Sequence, residues 1–277
     1  MLASARISWS LPGMPDVQDA SPFAGAAAFY DRFRAPYAPA ALECVIDAYG
    51  LDANARVLDL GCGPGSLAIP LSSAVAEVVA VDPDAGMIAE GRRLGAESGR
   101  TNIRWLNARA EDVSLDAGSF QAATIGQAFH WMDRDAVLAK LTGLIADGGG
   151  LALVGPGRRR PQESWEPVAE AVITRFLGPR TRHPKSNPQE PTNEPALLRS
   201  GSFVEFTFQA FPNTITRDVA SIIGCVFSIS SSARPLFGKD AETFEAALAK
   251  ALFDLNPSGI FHERTETEVT LARKRAR

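Results

Sequence analysis

Between residues 55 and 155, short apolar runs alternate with longer stretches whose apolar residues recur at helical spacing. The runs are "ARVLDL" (55–60), "EVVAVD" (77–82), "IRWLN" (103–107), "FQAATIG" (120–126) and "GGLALVG" (149–155). Each is rich in Val, Ile, Leu or Phe, the composition of strands buried on both faces. One separator, "DRDAVLAKLTGLIADGG", carries Val137, Leu138, Leu141, Leu144 and Ile145 at helical spacing, opens on aspartates and closes on glycines. Five strands alternating with helices predict an α/β fold, a doubly wound and mostly parallel sheet covered on both faces.

Beyond Gly157 the pattern changes. "RRRPQESWEPVAEAVITRFLG" contains a predicted helix with Trp165, Val168, Ala169, Val172, Ile173 and Phe176 on one face. A stretch rich in proline and polar residues follows (179–195), too irregular for the sheet. Period-two alternation returns in "FVEFTFQAF" (203–211) and "ETEVTLA" (266–272), bringing the expected strands to seven. Between them lie "RDVASIIGCVFSIS" and the amphipathic "AETFEAALAKALFDL" (241–255). The expected organisation is a loose N-terminal arm (1–20) and a cofactor-binding core (21–156, 203–213 and 263–277). A cap or substrate region (157–202 and 214–262) completes it, lying over the end of the sheet where cofactors bind.

Composition narrows the function classes. The chain has 277 residues, 45% hydrophobic and 22% charged, with a formal net charge of −4, which gives no reason to expect nucleic acid or another polyanion. No apolar stretch approaches the roughly 18 residues of a membrane span, so no membrane partner is expected. The first twenty residues lack the basic start and continuous apolar stretch of a secretory signal. The three cysteines, Cys44, Cys62 and Cys225, are far apart and suggest neither a disulfide framework nor a zinc site. A cytoplasmic protein without a metal is the expectation. Locally, residues 156–185 carry seven Arg and Lys against three Glu, which leaves an anionic substrate open.

The densest chemical signal is "VLDLGCGPGS" (57–66). A buried strand runs into Gly61, Gly63 and Gly65, residues that accept φ > 0 and let another group approach the main chain. Strand, glycine turn and helix in succession are how doubly wound folds hold nucleotide-like cofactors. The spacing is G-x-G-x-G, with Ser66 where a dinucleotide fingerprint would place its last glycine. No lysine follows to make a Walker loop. Asp82 ends the second strand 21 residues after Gly61, where an acid that binds ribose is expected.

At these residues the sequence resembles the class I S-adenosylmethionine-dependent methyltransferases, small-molecule subgroup. "VLDLGCGPG" is similar to the family's first motif, and "VVAVDPDAGMIAEGRR" to its second. "ARAEDV" resembles the third-strand motif, "FQAATIGQAFHWMD" the fourth-strand segment, and "FYDRFRAPYAP" (29–39) an N-terminal segment of the same subgroup. The resemblance implies a Rossmann-like sheet of seven strands, mostly parallel with the last antiparallel. It implies S-adenosyl-L-methionine as cofactor and S-adenosyl-L-homocysteine as product. Gly61, Gly63 and Gly65 would then carry the methionine part, with Asp59 near its ammonium group. Asp82 would hold both ribose hydroxyls, and Pro83 and Met87 would pack on the adenine. The Ala110 N–H and the Glu111 side chain would read the adenine edge, with Gln127 also at the cofactor. The family often has aspartate where this chain has Arg109. Tyr30, Arg34 and Tyr37 would close over the amino-acid end.

Asp59 also reads as an acid capping the following turn, and Tyr30 and Tyr37 as N-terminal packing. His130 is the histidine nearest the reacting methyl group, either as a general base or as pocket wall beside Trp131. The expected function is methyl transfer to an O, N or C nucleophile of a small molecule, possible in specialised metabolism. Two alternatives stay open, methylation of an aconitate-like carboxylate and a non-catalytic protein that binds adenosyl ligands. The glycine spacing disfavours a nicotinamide oxidoreductase. Monomer and homodimer are equally compatible with the sequence.

Overall fold

The computed structural model describes residues 32–157, 165–179 and 193–275. They divide into two compact units, a sheet unit (35–157, 193–215 and 263–275) and a helical unit (32–34, 165–179 and 216–262). The expectations for Tyr30, the arm 1–20 and the arginine run 158–160 lie outside the described residues.

The sheet has seven strands: β1 (Arg56–Leu60), β2 (Glu77–Asp82), β3 (Ile103–Asn107), β4 (Phe120–Gly126), β5 (Ile145–Pro156), β6 (Phe203–Asp218) and β7 (Ile260–Lys274). Their spatial order is β3-β2-β1-β4-β5-β7-β6. The first five are parallel, and β7 runs antiparallel to β5, pairing Gly150 with Arg273 and Pro156 with Thr267. This is the doubly wound, mostly parallel sheet that the periodicity predicts, with the antiparallel last strand that the resemblance implies.

Side chains alternate across the sheet, and each face finds its own helices. On one face Leu58, Leu60, Val79, Val81, Ala123 and Ile125 pack with Val137, Leu138 and Leu141 of a helix that spans Arg134–Leu144. On the other, Val57, Val78, Ala80 and Ala122 pack with Ala41, Val45 and Tyr49 of the helix Pro39–Tyr49. Burial on both sides is why these strands read as unbroken apolar runs rather than as alternation. In chain order the helices of this unit are α1 (Pro39–Tyr49), α2 (Ala68–Leu71), α3 (Ala85–Glu97) and α4 (Arg134–Leu144).

The bounds of three strands differ from expectation. Ile145, grouped with the helix by its spacing, instead opens β5 opposite Phe120, and the register then jumps to Ala122 opposite Gly150. The intervening residues form an irregularity that the apolar pattern does not reveal. Strands β6 and β7 extend well past their alternating segments, because Thr, Ile and Glu on a half-exposed strand give no apolar period to count.

The helical unit holds α5 (Trp165–Leu177), α7 (Val219–Phe227) and α8 (Ala241–Leu255), while α6 (Glu194–Ser200) belongs with the sheet. Trp165, Ala169 and Ile173 of α5 are buried at intervals of one helical turn, as the sequence predicts. They join Ile222, Val226, Phe227, Phe244 and Leu248 in one cluster. Phe237 stacks on Phe244 with ring centroids 4.0 Å apart. Among the described residues no single helix is long and apolar enough to cross a membrane.

Candidate functional site

The glycine turn leaves the end of β1 with φ of 65° at Gly61, 53° at Gly63 and 96° at Gly65. The Gly61 and Cys62 N–H groups both donate to the Val81 carbonyl, at 2.8 and 3.0 Å, which fastens the turn to the end of β2. The glycines serve two purposes. A Cβ on Gly61 would overlap Ala128, and one on Gly65 would lie 2.7 Å from the Trp105 ring and 2.9 Å from Ile69. At Gly63 a Cβ would meet nothing within 4 Å. Packing requires the outer two glycines, and the middle one presents bare backbone to open space.

Asp82 closes β2 against that bare position. Its Oδ2 accepts the Gly63 N–H and its Oδ1 the Asp84 N–H, both at 2.9 Å. An ionised carboxylate offers about four acceptor sites, so two N–H donors leave capacity for ligand hydroxyls. Burial raises the Asp82 pKa, and the two N–H bonds oppose the rise. Asn107 donates to the Asp82 carbonyl at 3.0 Å and helps hold the strand end.

Asp59 lies inside β1, 1% exposed. The Thr124 hydroxyl on β4 donates to its Oδ1 at 2.8 Å, whereas Oδ2 has no hydrogen-bond partner among the described residues. Burial pushes its pKa to about 7 against the Thr124 bond, and the neighbouring Asp82 charge adds to the rise. Neither Asp59 nor Asp82 has an ion-pair partner among the described residues. Cys62, also buried, has its thiol pushed well above the ordinary range by burial and by these two acids. A buried thiol held in its protonated form is a poor nucleophile.

The remaining predicted positions sit at neighbouring strand ends. Pro83 is exposed after β2, and Met87 is buried in the first turn of α3. Asp84 caps that helix by accepting the Gly86 and Met87 N–H groups. After β3, Ala110 is buried and its N–H has no partner among the described residues. Glu111 is engaged by the protein itself: Oε1 accepts the Asp133 N–H at 2.9 Å and Oε2 the Arg109 Nε at 3.4 Å. After β4, Gln127 takes a left-handed φ of 51° and donates its amide to the Tyr37 hydroxyl at 3.4 Å.

His130 stands in a short 3₁₀ turn, Phe129–Trp131, with its ring centroid 5.2 Å from that of Trp131. Desolvation by the surrounding protein lowers its pKa, and the Arg134 charge adds to the fall. The fall favours the neutral imidazole, the form that accepts a proton. Arg34 belongs to the helical unit, where its guanidinium donates to Ser228 Oγ at 3.1 Å.

Sequence reasoning missed Thr124 and Trp105. A threonine in the otherwise apolar run "FQAATIG" was the available signal for the first. Nothing in "IRWLN" marks Trp105 as the ring that Gly65 and Gly91 accommodate. Among the described residues no group of three or more His, Cys, Asp or Glu side chains is placed to hold a metal ion.

Residues 57–149 match the family model described as a methyltransferase domain. An uncharacterized methyltransferase of Mycobacterium tuberculosis is 36% identical over 132 residues, 48% of this chain and 51% of that protein. The ubiquinone biosynthesis O-methyltransferase of Xanthomonas axonopodis pv. citri is 32% identical over 135 residues, 48% and 56% of the two chains. The chain thus spans about half the length of these relatives. Among solved structures, a proposed type II methyltransferase from Anaeromyxobacter dehalogenans superposes with a TM-score of 0.61 at 23% identity, covering 87% of this chain and 98% of that one. The YcgJ protein of Bacillus subtilis gives a TM-score of 0.52 at 20% identity, covering 86% and 99%. These two likenesses establish the fold.

Proposed function

We propose that the chain, whose residues 57–149 match a methyltransferase-domain model, binds S-adenosylmethionine and transfers its methyl group to a small-molecule acceptor. The observation that carries this reading is the pairing of Asp82 with the open glycine. A carboxylate with spare acceptor capacity is bonded to the Gly63 N–H, where a Cβ would meet nothing within 4 Å among the described residues.

The residues fit such a cofactor in three respects. Asp82 has acceptor sites for two ribose hydroxyls in a charge-assisted arrangement. Asp59 supplies a buried carboxyl, without an ion-pair partner among the described residues, next to the turn that would receive a ligand's ammonium group. The unpartnered Ala110 N–H at the end of β3 is a donor for a ring nitrogen. When bound, the cofactor supplies a methyl group already activated by its sulfonium. The protein's share is then alignment, worth about 7–11 kcal/mol in favourable cases. His130, on the segment after β4, would take a proton from an O–H or N–H acceptor. Selectivity for the acceptor falls to residues outside 57–149.

A small-molecule acceptor is supported by the ubiquinone biosynthesis enzyme among the relatives. The excess of Arg and Lys in 156–185 favours an anionic one, such as a carboxylate. Thermal unfolding with S-adenosylmethionine, S-adenosylhomocysteine and NAD tests the reading. Either adenosyl ligand at a hundredfold over its Kd adds about 2.7 kcal/mol. Asp82→Ala weakens binding at least about tenfold, one charge-assisted bond being worth roughly 1.5–3 kcal/mol. Stabilisation by NAD alone would overturn the assignment.

A further inference from the structure

Glu111 and Asp133 are far apart in the chain and meet at the end of the sheet. Glu111 lies in the connection after β3, and Asp133 is the N-cap of α4, three residues past His130. We infer that Glu111 is a positioning residue: by accepting the Asp133 N–H it sets the 128–133 segment, and with it His130, against the glycine turn. The inference rests on the ligand proposed above and assigns Glu111 a task other than touching it.

Four observations support this role. Both Glu111 oxygens are engaged within the protein, and its side chain is only 15% exposed. Burial alone would raise its pKa. The Asp133 N–H, its own N–H and Arg109 outweigh that and hold it below the usual range, so the bond is charge-assisted at neutral pH. A second tie runs parallel to the first, with Lys140 Nζ of α4 donating to the Val113 carbonyl at 2.6 Å. Between the ties, Ala110, Val113 and Phe129 share one buried cluster, with Ala128 and Met132 packed against it.

The segment that Glu111 holds is also the one that presses on the cofactor turn. A Cβ on Gly61 would overlap Ala128 and approach the Met132 methyl to 3.0 Å. A ligand that loads the glycine turn therefore bears on a segment whose far end is pinned by Glu111. The Ala110 N–H, one residue earlier, is the group left for the ligand. The two adjacent residues divide the work, Ala110 at the ligand and Glu111 behind His130.

The test separates the Asp133 N–H from its side chain. Asp133 has φ −70° and ψ 96°, and Met132 has ψ 157°, angles that admit proline at 133. Asp133→Ala and Asp133→Pro both lose the side-chain cap on Ala136, and only the proline loses the N–H that Glu111 accepts. The readout is the ring signal of His130 by NMR, identified by its disappearance in His130→Gln, during titration with S-adenosylhomocysteine. Calorimetry gives the affinity in parallel.

The ligand should move the signal in the native protein, in Asp133→Ala and in Glu111→Gln, whose amide oxygen still accepts the N–H. The movement should be lost in Asp133→Pro and Glu111→Ala, while affinity stays within about threefold throughout. Equal movement in Asp133→Pro and Asp133→Ala would overturn the inference. Failure of Glu111→Gln to rescue would do the same, as would binding to the native protein that leaves His130 unmoved. If the native protein gives no binding heat, the ligand reading fails first and the inference falls with it.

Discussion

The strand ends of the sheet unit and the core of the helical unit differ in how they treat their buried polar groups. In the helical unit they are discharged onto backbone. Arg217 donates to the Phe33 carbonyl at 2.8 Å, Ser232 to the Val226 carbonyl at 2.7 Å and Ser228 to the Cys225 carbonyl at 2.6 Å. Trp165 Nε1 is the exception, buried without a partner among the described residues. At the strand ends of the sheet unit, Asp59 keeps an oxygen without a hydrogen-bond partner among the described residues, and Gln127 holds a conformation that costs an L-residue free energy. Buried polar groups are ordinarily satisfied, and strain persists where the surroundings over-determine it. The unsatisfied Asp59 oxygen and the strained Gln127 stand beside the glycine turn, which is what the cofactor proposal draws on.

The sharpest way to break that contrast is to empty the helical core. Phe244 is fully buried and touches Phe176, Phe227 and Phe237. Phe244→Ala should cost about 3–5 kcal/mol of stability, read from urea unfolding. A loss under about 1 kcal/mol would mean that the cluster relaxes freely and is not a close-packed core.

The next effect comes from the sheet unit and depends on pH. The Asp59 carboxyl has its pKa raised from 3.8 to about 7 by burial. Between those values the folded protein keeps a proton that the unfolded chain has released. Stability therefore falls as pH rises from about 4 to about 7 and then levels, by at most on the order of 4 kcal/mol. Asp82 is raised as well and contributes with the same sign. Asp59→Asn should flatten the stability profile without abolishing its slope. A slope unchanged in the variant would show that Asp59 is ionised in the folded state.

Most of this arrangement was legible because its physics is local. The alternation that places Val57 on one face and Leu58 on the other is written in adjacent residues, as are the glycine turn and the strand-end acid. What escaped depends on the partner strand. Thr124 matters because the parallel register sets it directly beside Asp59, and no motif within β4 announces that. Glu111 reads as a ligand contact from its motif, while its bond to Asp133 needs the α4 N-terminus brought alongside. The start of β5 was misplaced for a similar reason, since Ile145 ends a helical period and the bulge opposite Phe120 turns it into sheet.

The smallest expected effect discriminates best between a cofactor cradle and a merely tight turn. Gly61 and Gly63 have similar φ values, 65° and 53°, so alanine at either carries a similar backbone cost of about 1–2 kcal/mol. Only at Gly61 does the added methyl also overlap Ala128, whereas at Gly63 it enters empty space. Gly61→Ala should therefore be the less stable variant. The order should reverse for the ligand. At Gly63 the methyl fills space that the proposed cofactor needs, so S-adenosylhomocysteine should bind Gly63→Ala about tenfold or more weakly, equivalent to about 1.4 kcal/mol. The Gly63 N–H that Asp82 accepts survives this change, so the loss would report the approach of the ligand and not a disturbed carboxylate. Native affinity in Gly63→Ala, together with the expected drop in stability, would reduce the three glycines to a turn that packs tightly and carries nothing.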